Sequence, residues 1–422
     1  MCLAILSSAE AGETVGWRTD GTGVYADCQP PSKTGPEVNV AWKTPLPDWS
    51  NCTPIQVGDR IYITAEPYDV LCIDANGAGI LWQKSNGFED LESPSPEMGR
   101  KIQEEVEQEE ALIKERKRIR KEQKKLERES KADTANAELK KQIKAKGKEL
   151  GDIDKKRDAL LLAGKVRKWP THRSNGYSTR TLTSDGTHVF GAFGNGMVVC
   201  YDLDGNLKWH VQHKPIFHSW GGSTSPTLVE DRLIVHSDDH YFAHRASDGK
   251  ELWRHEAPRA YGTPVVALVG ETAVLVTPQG VLLDVQNGEQ LGEPIFKPLP
   301  YNAPLVKDGV VYAVGRKDSV CIAIQLPESA ESLEQGGAKV LWSKAVKKDR
   351  YYGSPVIDGE GLLYAITRNH VLTVLDTKTG DTVYEEKVPA IKGQSYMSPT
   401  LAGGNVYLNG EKGSLVVLKA GK

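Results

Sequence analysis

The stretch from Gly222 to Trp253, GSTSPTLVEDRLIVHSDDHYFAHRASDGKELW, decides the fold. It opens on Ser225-Pro226-Thr227, runs through an apolar segment to an acidic turn at Glu230-Asp231, and continues as Leu233-Ile234-Val235. A polar break, an aromatic segment, the turn Ser247-Asp248-Gly249 and the pair Leu252-Trp253 complete it. Runs of strand length separated by tight-turn residues predict four antiparallel strands in one sheet.

The same pattern returns along most of the chain. Copies begin at Pro54, Pro226, Pro264, Pro304, Pro355 and Pro399, with Arg180 at the corresponding place in Thr179-Arg180-Thr181. From Arg180 onward the spacing is roughly 40 to 50 residues, the range of a propeller blade or solenoid unit. The third-strand exits carry Asp74-Ala75-Asn76-Gly77, Asp202-Leu203-Asp204-Gly205, Ser247-Asp248-Gly249, Asn287-Gly288 and Thr379-Gly380. Asn-Gly and Asp-Gly supply the positive φ angles of two-residue hairpin turns. The outer strands carry Leu81-Trp82, Lys208-Trp209, Leu252-Trp253 and Leu341-Trp342, with Leu291 and Tyr384 as substitutes.

The last copy stops after Leu415-Val416-Val417-Leu418, and the missing outer-strand pattern lies at the other end of the chain, in Val38-Asn39-Val40-Ala41-Trp42. Pairing that N-terminal strand into the last blade removes a free sheet edge. The expected fold is therefore all-β: a seven-bladed β-propeller over residues 12–96 and 163–422, closed by the N-terminal strand in the last blade.

Residues 97–162 break the repeat. Lys, Arg and Glu dominate, aromatics vanish, and Ser93-Pro94-Ser95-Pro96 marks a stiff polar entry. Apolar residues recur at Leu112, Ile119 and Leu126 and again at Leu139, Ile143, Leu150, Ile153 and Leu160, on either side of a polar break at Lys131 to Asn136. Near-heptad spacing predicts an inserted α-helical coiled-coil hairpin, weakened in its second helix by Gly147 and Gly151.

The repeat resembles that of the PQQ-like β-propeller family, which contains quinoprotein alcohol dehydrogenases and the scaffold lipoprotein of bacterial outer-membrane protein assembly. The likeness covers about 300 residues outside the insertion. It implies the fold, whereas function must come from the site. The quinone-dependent enzymes of the family have eight blades, a vicinal cysteine ring, calcium held by acid and amide side chains, and a catalytic aspartate. This chain has no vicinal cysteines and no such set in its leading loops, so it looks like the non-catalytic branch. Tryptophan-aspartate repeat propellers fit less well, because no Gly-His start or Trp-Asp end falls in register.

With 53 basic and 56 acidic residues the net charge is −3, which argues against nucleic acid as partner. The basic run Lys114 to Lys125 is interleaved with acids and lacks aromatics for stacking bases. No internal apolar run reaches the length of a membrane span. Residues 1–11, MCLAILSSAEA, read as the tail of a secretory signal, which places the protein in the periplasm or otherwise outside the cytoplasm; a plain N-terminus and a cytoplasmic location stay open. Cys72, Cys200 and Cys321 occupy one third-strand slot in three blades and read as small buried hydrophobes. Cys28 and Cys52 are free to pair only in an oxidising compartment. No Cys-x-x-Cys-His haem motif is present.

By the family's blade order, the loops leading into first strands and joining second to third strands share one face. They are rich in large polar and aromatic residues. The candidate funnel comprises Trp49, Trp169, His172, Arg173, Tyr177, Arg180, His218, Trp220, His240, Tyr261, Arg316, Tyr352, Arg368 and Tyr396, with Tyr68, Asp238, Tyr301, Arg350, Tyr351 and His370 beside them. Such a mouth suits an anionic or sugar-like ligand or an extended peptide. The competing structural role for each is to plug the channel and satisfy a neighbour. His236, Asp238 and His240 would share a strand face suited to a metal, but the repeat places a turn between them. A nucleophile elbow and a phosphate loop are absent, and the paired carboxylates a glycan-active enzyme needs are scarce in these loops. The expectation is a non-catalytic binding or scaffold propeller of the bacterial cell envelope. It takes a protein partner or small ligand through the funnel or the arm and needs no cofactor. The alternative is a PQQ- and calcium-dependent oxidoreductase, in which Trp220, Trp169 and Arg180 stack on and pair with a quinone carboxylate.

Overall fold

The computed structural model describes residues 15–26, 28–35, 37–77, 79–92, 95–132, 136–163, 175–216, 218, 220–315 and 319–421. The chain divides into two compact units, residues 1–86 with 171–422, and residues 87–170.

The larger unit is mostly β. Strand β1 is Val24–Tyr25, and the first sheet is β2 (Ile55–Val57), β3 (Arg60–Ala65), β4 (Asp69–Asp74) and β5 (Ile80–Ser85). The second is β6 (Thr183–Ser184), β7 (His188–Ala192), β8 (Met197–Asp202) and β9 (Leu207–Gln212). The third is β10 (Thr227–Val229), β11 (Arg232–Ser237), β12 (His240–Arg245) and β13 (Glu251–Glu256). The fourth holds β14 (Val265–Val269), β15 (Thr272–Val276) and β16 (Leu282–Asp284). The fifth is β17 (Leu305–Lys307), β18 (Val310–Val314), β19 (Val320–Gln325) and β20 (Lys339–Ala345). The sixth is β21 (Val356–Ile357), β22 (Leu362–Ile366), β23 (Val371–Asp376) and β24 (Thr382–Lys387). The seventh joins β25 (Thr400–Ala402), β26 (Asn405–Asn409) and β27 (Leu415–Lys419) to β1. In the fourth sheet the outer strand shrinks to one bridge, Leu283 with Gln290, because Gly292 at φ 71° and Pro294 follow at once.

The repeated Trp and Gly explain each other. Trp82, Trp209, Trp253 and Trp342 donate their indole N–H to the carbonyls of Leu203, Ala246, Val285 and Thr377, each the residue after the third strand of the next sheet, at 2.8–3.0 Å. Each ring lies on the turn glycine there: a Cβ on Gly205, Gly249, Gly288 or Gly380 would come within 2.5–2.8 Å of it, and all four have φ of +73° to +83°. The Trp residues pair with Cys72, Cys200, Ala243 and Ala323, and the register slips just beyond each pair. That bulge leaves Leu81 and Leu341 facing solvent. Core clusters straddle consecutive sheets, for example Phe190 and Trp209 with Leu233, and Val274 with Val311.

Three expectations are corrected. Val38–Trp42 forms no strand; Asn39 sits at φ 55°, which breaks an extended run, although Trp42 still donates to Ala75 O at 3.2 Å as the other indoles do. The N-terminal strand is β1, upstream, and it pairs parallel with β25 at the opposite edge of the seventh sheet, Val24 with Leu401 and Tyr25 with Ala402. Arg180 is not in the proline slot. Thr181 N and Ser225 N donate to Ser225 Oγ and Thr263 Oγ1, both at 3.0 Å, so Leu182 takes that slot and Arg180 aligns with Thr224. Cys321 pairs with Val314, one pleat earlier than Cys72 and Cys200. All three are buried, and burial pushes their thiols up to about 11 or 12. Cys28 and Cys52 are not joined to each other by a disulfide, and Cys52 Sγ donates to Thr53 O at 3.0 Å.

The smaller unit contains α1 (Phe88–Glu92), α2 (Pro96–Ala132) and α3 (Ala137–Ala163); α4 (Ala330–Glu334) belongs to the larger one. Ser95 Oγ caps α2 ahead of its N1 proline, and Asn136 Oδ1 caps α3 by accepting from Leu139 N at 3.1 Å. Ile119, Leu150 and Ile153 form the buried seam between α2 and α3, with Leu112 beside them. The sequence at residues 1–11 lies outside the described residues.

Candidate ligand-binding face

Three groups of side chains assemble where the chain enters the first strands. The first is Trp49, Tyr68 and Tyr177. Tyr68 and Tyr177 pack at 5.5 Å, and the Glu66 carboxylate accepts from Tyr177 N and Ser178 N at 2.8–3.0 Å. Gly176, at φ 67°, makes room for Glu66 and the Trp49 ring, either of which a Cβ would strike.

The second group is cationic. Asp238, in the turn between β11 and β12 at φ 52°, accepts from Lys214 Nζ at 3.0 Å and Arg259 Nη2 at 2.6 Å. Arg180 is 3% exposed, and its Nη2 donates to His236 O at 3.0 Å. Burial alone pulls it down to about 10, so it stays charged at neutral pH. His236 is pushed to about 4 by burial and the field of Arg180. His218 Nδ1 meets Tyr261 Oη at 2.9 Å, and burial and Arg259 lower its pKa. The carbonyl of exposed Trp220 accepts from Asn175.

The third group is an arc of tyrosines. Tyr261, Tyr301, Tyr352 and Tyr396 each stand four residues before the first strand of the fourth to seventh sheets. Their rings follow one another at 6.5, 4.9 and 4.7 Å. Arg350 donates to Tyr352 Oη at 3.1 Å, Tyr396 donates to Gln394 at 2.6 Å, and Tyr396 and Met397 end the arc in solvent. Arg368 lies 3.6 Å from Asp349, while Tyr351 is buried and donates to Lys347 O.

The geometry thus joins His218, Tyr261, Tyr352 and Tyr396 through Tyr301, and places Arg180 with His236. His240 pairs instead with its neighbour Asp239 at 2.7 Å and packs on Phe242. His236 is buried against Tyr241, so the triad with Asp238 and His240 does not converge. Among the described residues no group of three His, Cys, Asp or Glu side chains is set to hold a metal ion. Trp169, His172, Arg173 and Arg316 lie outside the described residues. Lys214 and Arg259 lie outside the funnel read from the sequence; a cation two residues before the loop tyrosine, in Arg259-Ala260-Tyr261, is the available signal.

The family model described as outer membrane protein assembly factor BamB matches residues 143–331 and 328–422. The chain belongs to this PQQ-like repeat family. No curated protein matches its sequence. Among solved structures, BamB from Moraxella catarrhalis is 15% identical over 58% of this chain and 86% of that one, with a TM-score of 0.38. The C-terminal WD40 domain of Sif2 is 13% identical over 57% and 68%, TM-score 0.43. Saccharomyces cerevisiae Sqt1 is 12% identical over 56% and 69%, TM-score 0.44. Among the described residues no helix is long and apolar enough to cross a membrane.

Proposed function

We propose that this chain is a non-catalytic binding propeller of the bacterial cell envelope, whose tyrosine arc holds a segment of a protein partner. The seven sheets act as seven blades, and Trp42, docked on the first sheet from the segment after β1, closes the ring. The observation that carries the reading is the recurrence of tyrosine at one register position in four successive sheets, with rings in contact and the end exposed. A packing role alone does not call for a half-exposed phenol at each place. Tyrosine supplies large, rigid, amphipathic contact area at low entropic cost, which suits protein recognition. The family's description as an assembly factor of the outer membrane supports export and a protein partner. The α2–α3 arm is a second contact surface.

The test is proximity crosslinking in native envelopes with the wild type and with Tyr301→Ala/Tyr352→Ala/Tyr396→Ala. A folded triple variant that loses its crosslinked partners supports the reading, and one that keeps all of them sinks it. The rival role, a quinone- and calcium-dependent oxidoreductase, is separated by titration with quinone and calcium. Saturable tryptophan quenching together with dye-linked alcohol oxidation would replace the binding role.

A further inference from the structure

The cationic group is out of electrical balance. Arg180, Lys214 and Arg259 carry three permanent positive charges; Lys214 and Arg259 share Asp238, with Asp239 also in the field of Lys214. Among the described residues Arg180 is paired with no carboxylate. Among the described residues its hydrogen bond goes to a carbonyl, and its Nε, like that of Arg259, is buried with no partner there. Desolvating a guanidinium in this way is unfavourable unless an opposite charge answers it. Glycine stands beside the guanidinium: a Cβ on Gly222 would lie 3.2 Å from Arg180 Nη2 and 2.5 Å from Ile216 Cδ1. The imidazoles nearby add no charge, because His213 and His236 are held neutral in the same field.

We propose that Arg180, Arg259 and Lys214 form an anion subsite that receives the carboxylate or phosphate group of a ligand whose remainder lies over Tyr261. This rests on the reading of the entry face as a binding surface, and it adds a charge requirement that the tyrosine arc does not impose. Guanidinium groups suit the task because their planar fork matches both oxyanions, and charge-assisted bonds are about twice as strong as neutral ones.

The experiment is calorimetric titration and thermal melting of the full chain with inorganic phosphate and with succinate, at constant ionic strength set by chloride. Saturable binding of either anion is expected, and Arg259→Met should weaken it roughly tenfold to a hundredfold. Arg180→Met should weaken it as well, and Lys214→Met, at a more exposed group, should weaken it by less and gives a second reading should Arg180→Met fail to fold. Arg245→Met, at the other end of β12 from Asp238, should leave binding unchanged. Tighter phosphate identifies a phosphoryl ligand and tighter succinate a carboxylate. No saturable binding beyond the chloride control, or equal loss in Arg245→Met, overturns the subsite. Crosslinking of a partner through the tyrosines would survive that failure, so the two readings fall separately.

Discussion

The sheet unit and the helical hairpin are stabilised in opposite ways. In the sheet unit each outer strand is pinned to the next sheet by an indole that buries its ring on a glycine and satisfies a backbone carbonyl. In the hairpin the buried aliphatic side chains Ile119, Leu150 and Ile153 share the seam with ion pairs between the helices, Arg116 with Asp154 at 2.6 Å, Arg157 with Glu109 at 2.7 Å and Lys146 with Glu122 at 3.0 Å. Apolar burial is worth far more than an exposed ion pair such as Arg116 with Asp154, and the largely buried Arg157–Glu109 pair sets a desolvation cost against its attraction. The first unit is thus built for cooperative stability and the second only for persistence of shape.

The sharpest break of this contrast is Trp253→Ala, which removes a buried ring and the bond to Val285 O. It should cost about 3–5 kcal/mol, read as a lowered denaturant midpoint of the sheet unit. An unchanged midpoint would mean the indole slots are ornamental. Gly288→Ala should cost about 1–3 kcal/mol, since its Cβ would lie 2.5 Å from that ring at φ +74°. Ile119→Ala should reduce helicity of the hairpin by circular dichroism while the main unfolding transition stays put; a shifted main transition would contradict the contrast. Arg116→Ala should change stability by about 1 kcal/mol at most, because both partners are substantially exposed.

A pH experiment sharpens the comparison from the other side. His213 Nε2 lies 2.8 Å from His244 Nε2, whose Nδ1 faces Gly249 O at 2.9 Å. Burial, then His244 and Arg180, pull His213 from 6.5 to about 3. A depressed histidine binds its proton more weakly folded than unfolded, so its contribution is whole above about pH 6.5 and is lost as pH falls towards 3. Denaturant midpoints across that window should fall in the wild type and flatten in His213→Gln. Parallel curves would remove His213 from the account.

Much of the fold is legible because it is local. Strand runs, Asn-Gly turns and the Leu-Trp pairs recur at blade spacing, and the break at Lys131 to Asn136 predicts the gap between α2 and α3. The site is less legible. Tyr261, Tyr352 and Tyr396 are visible as loop aromatics, yet the contacts that join Tyr261 to Tyr352 through Tyr301, and Tyr352 directly to Tyr396, depend on sheets adjacent in space. Lys214 and Arg259 look like ordinary surface cations until Asp238 is seen between them.

By itself the sequence determined the four-strand repeat, the recurring outer-strand tryptophans, the helical insertion and the family, because all of these rest on periodicities within a few dozen residues. Only the tertiary structure decided that the N-terminal strand takes the β25 edge at Val24–Tyr25 and that Leu182, not Arg180, fills the proline slot. It alone placed Arg180 in the interior facing a carbonyl instead of an acid. Those outcomes depend on partners separated by tens to hundreds of residues, where a one-residue change of register redirects every side chain and no local pattern records it.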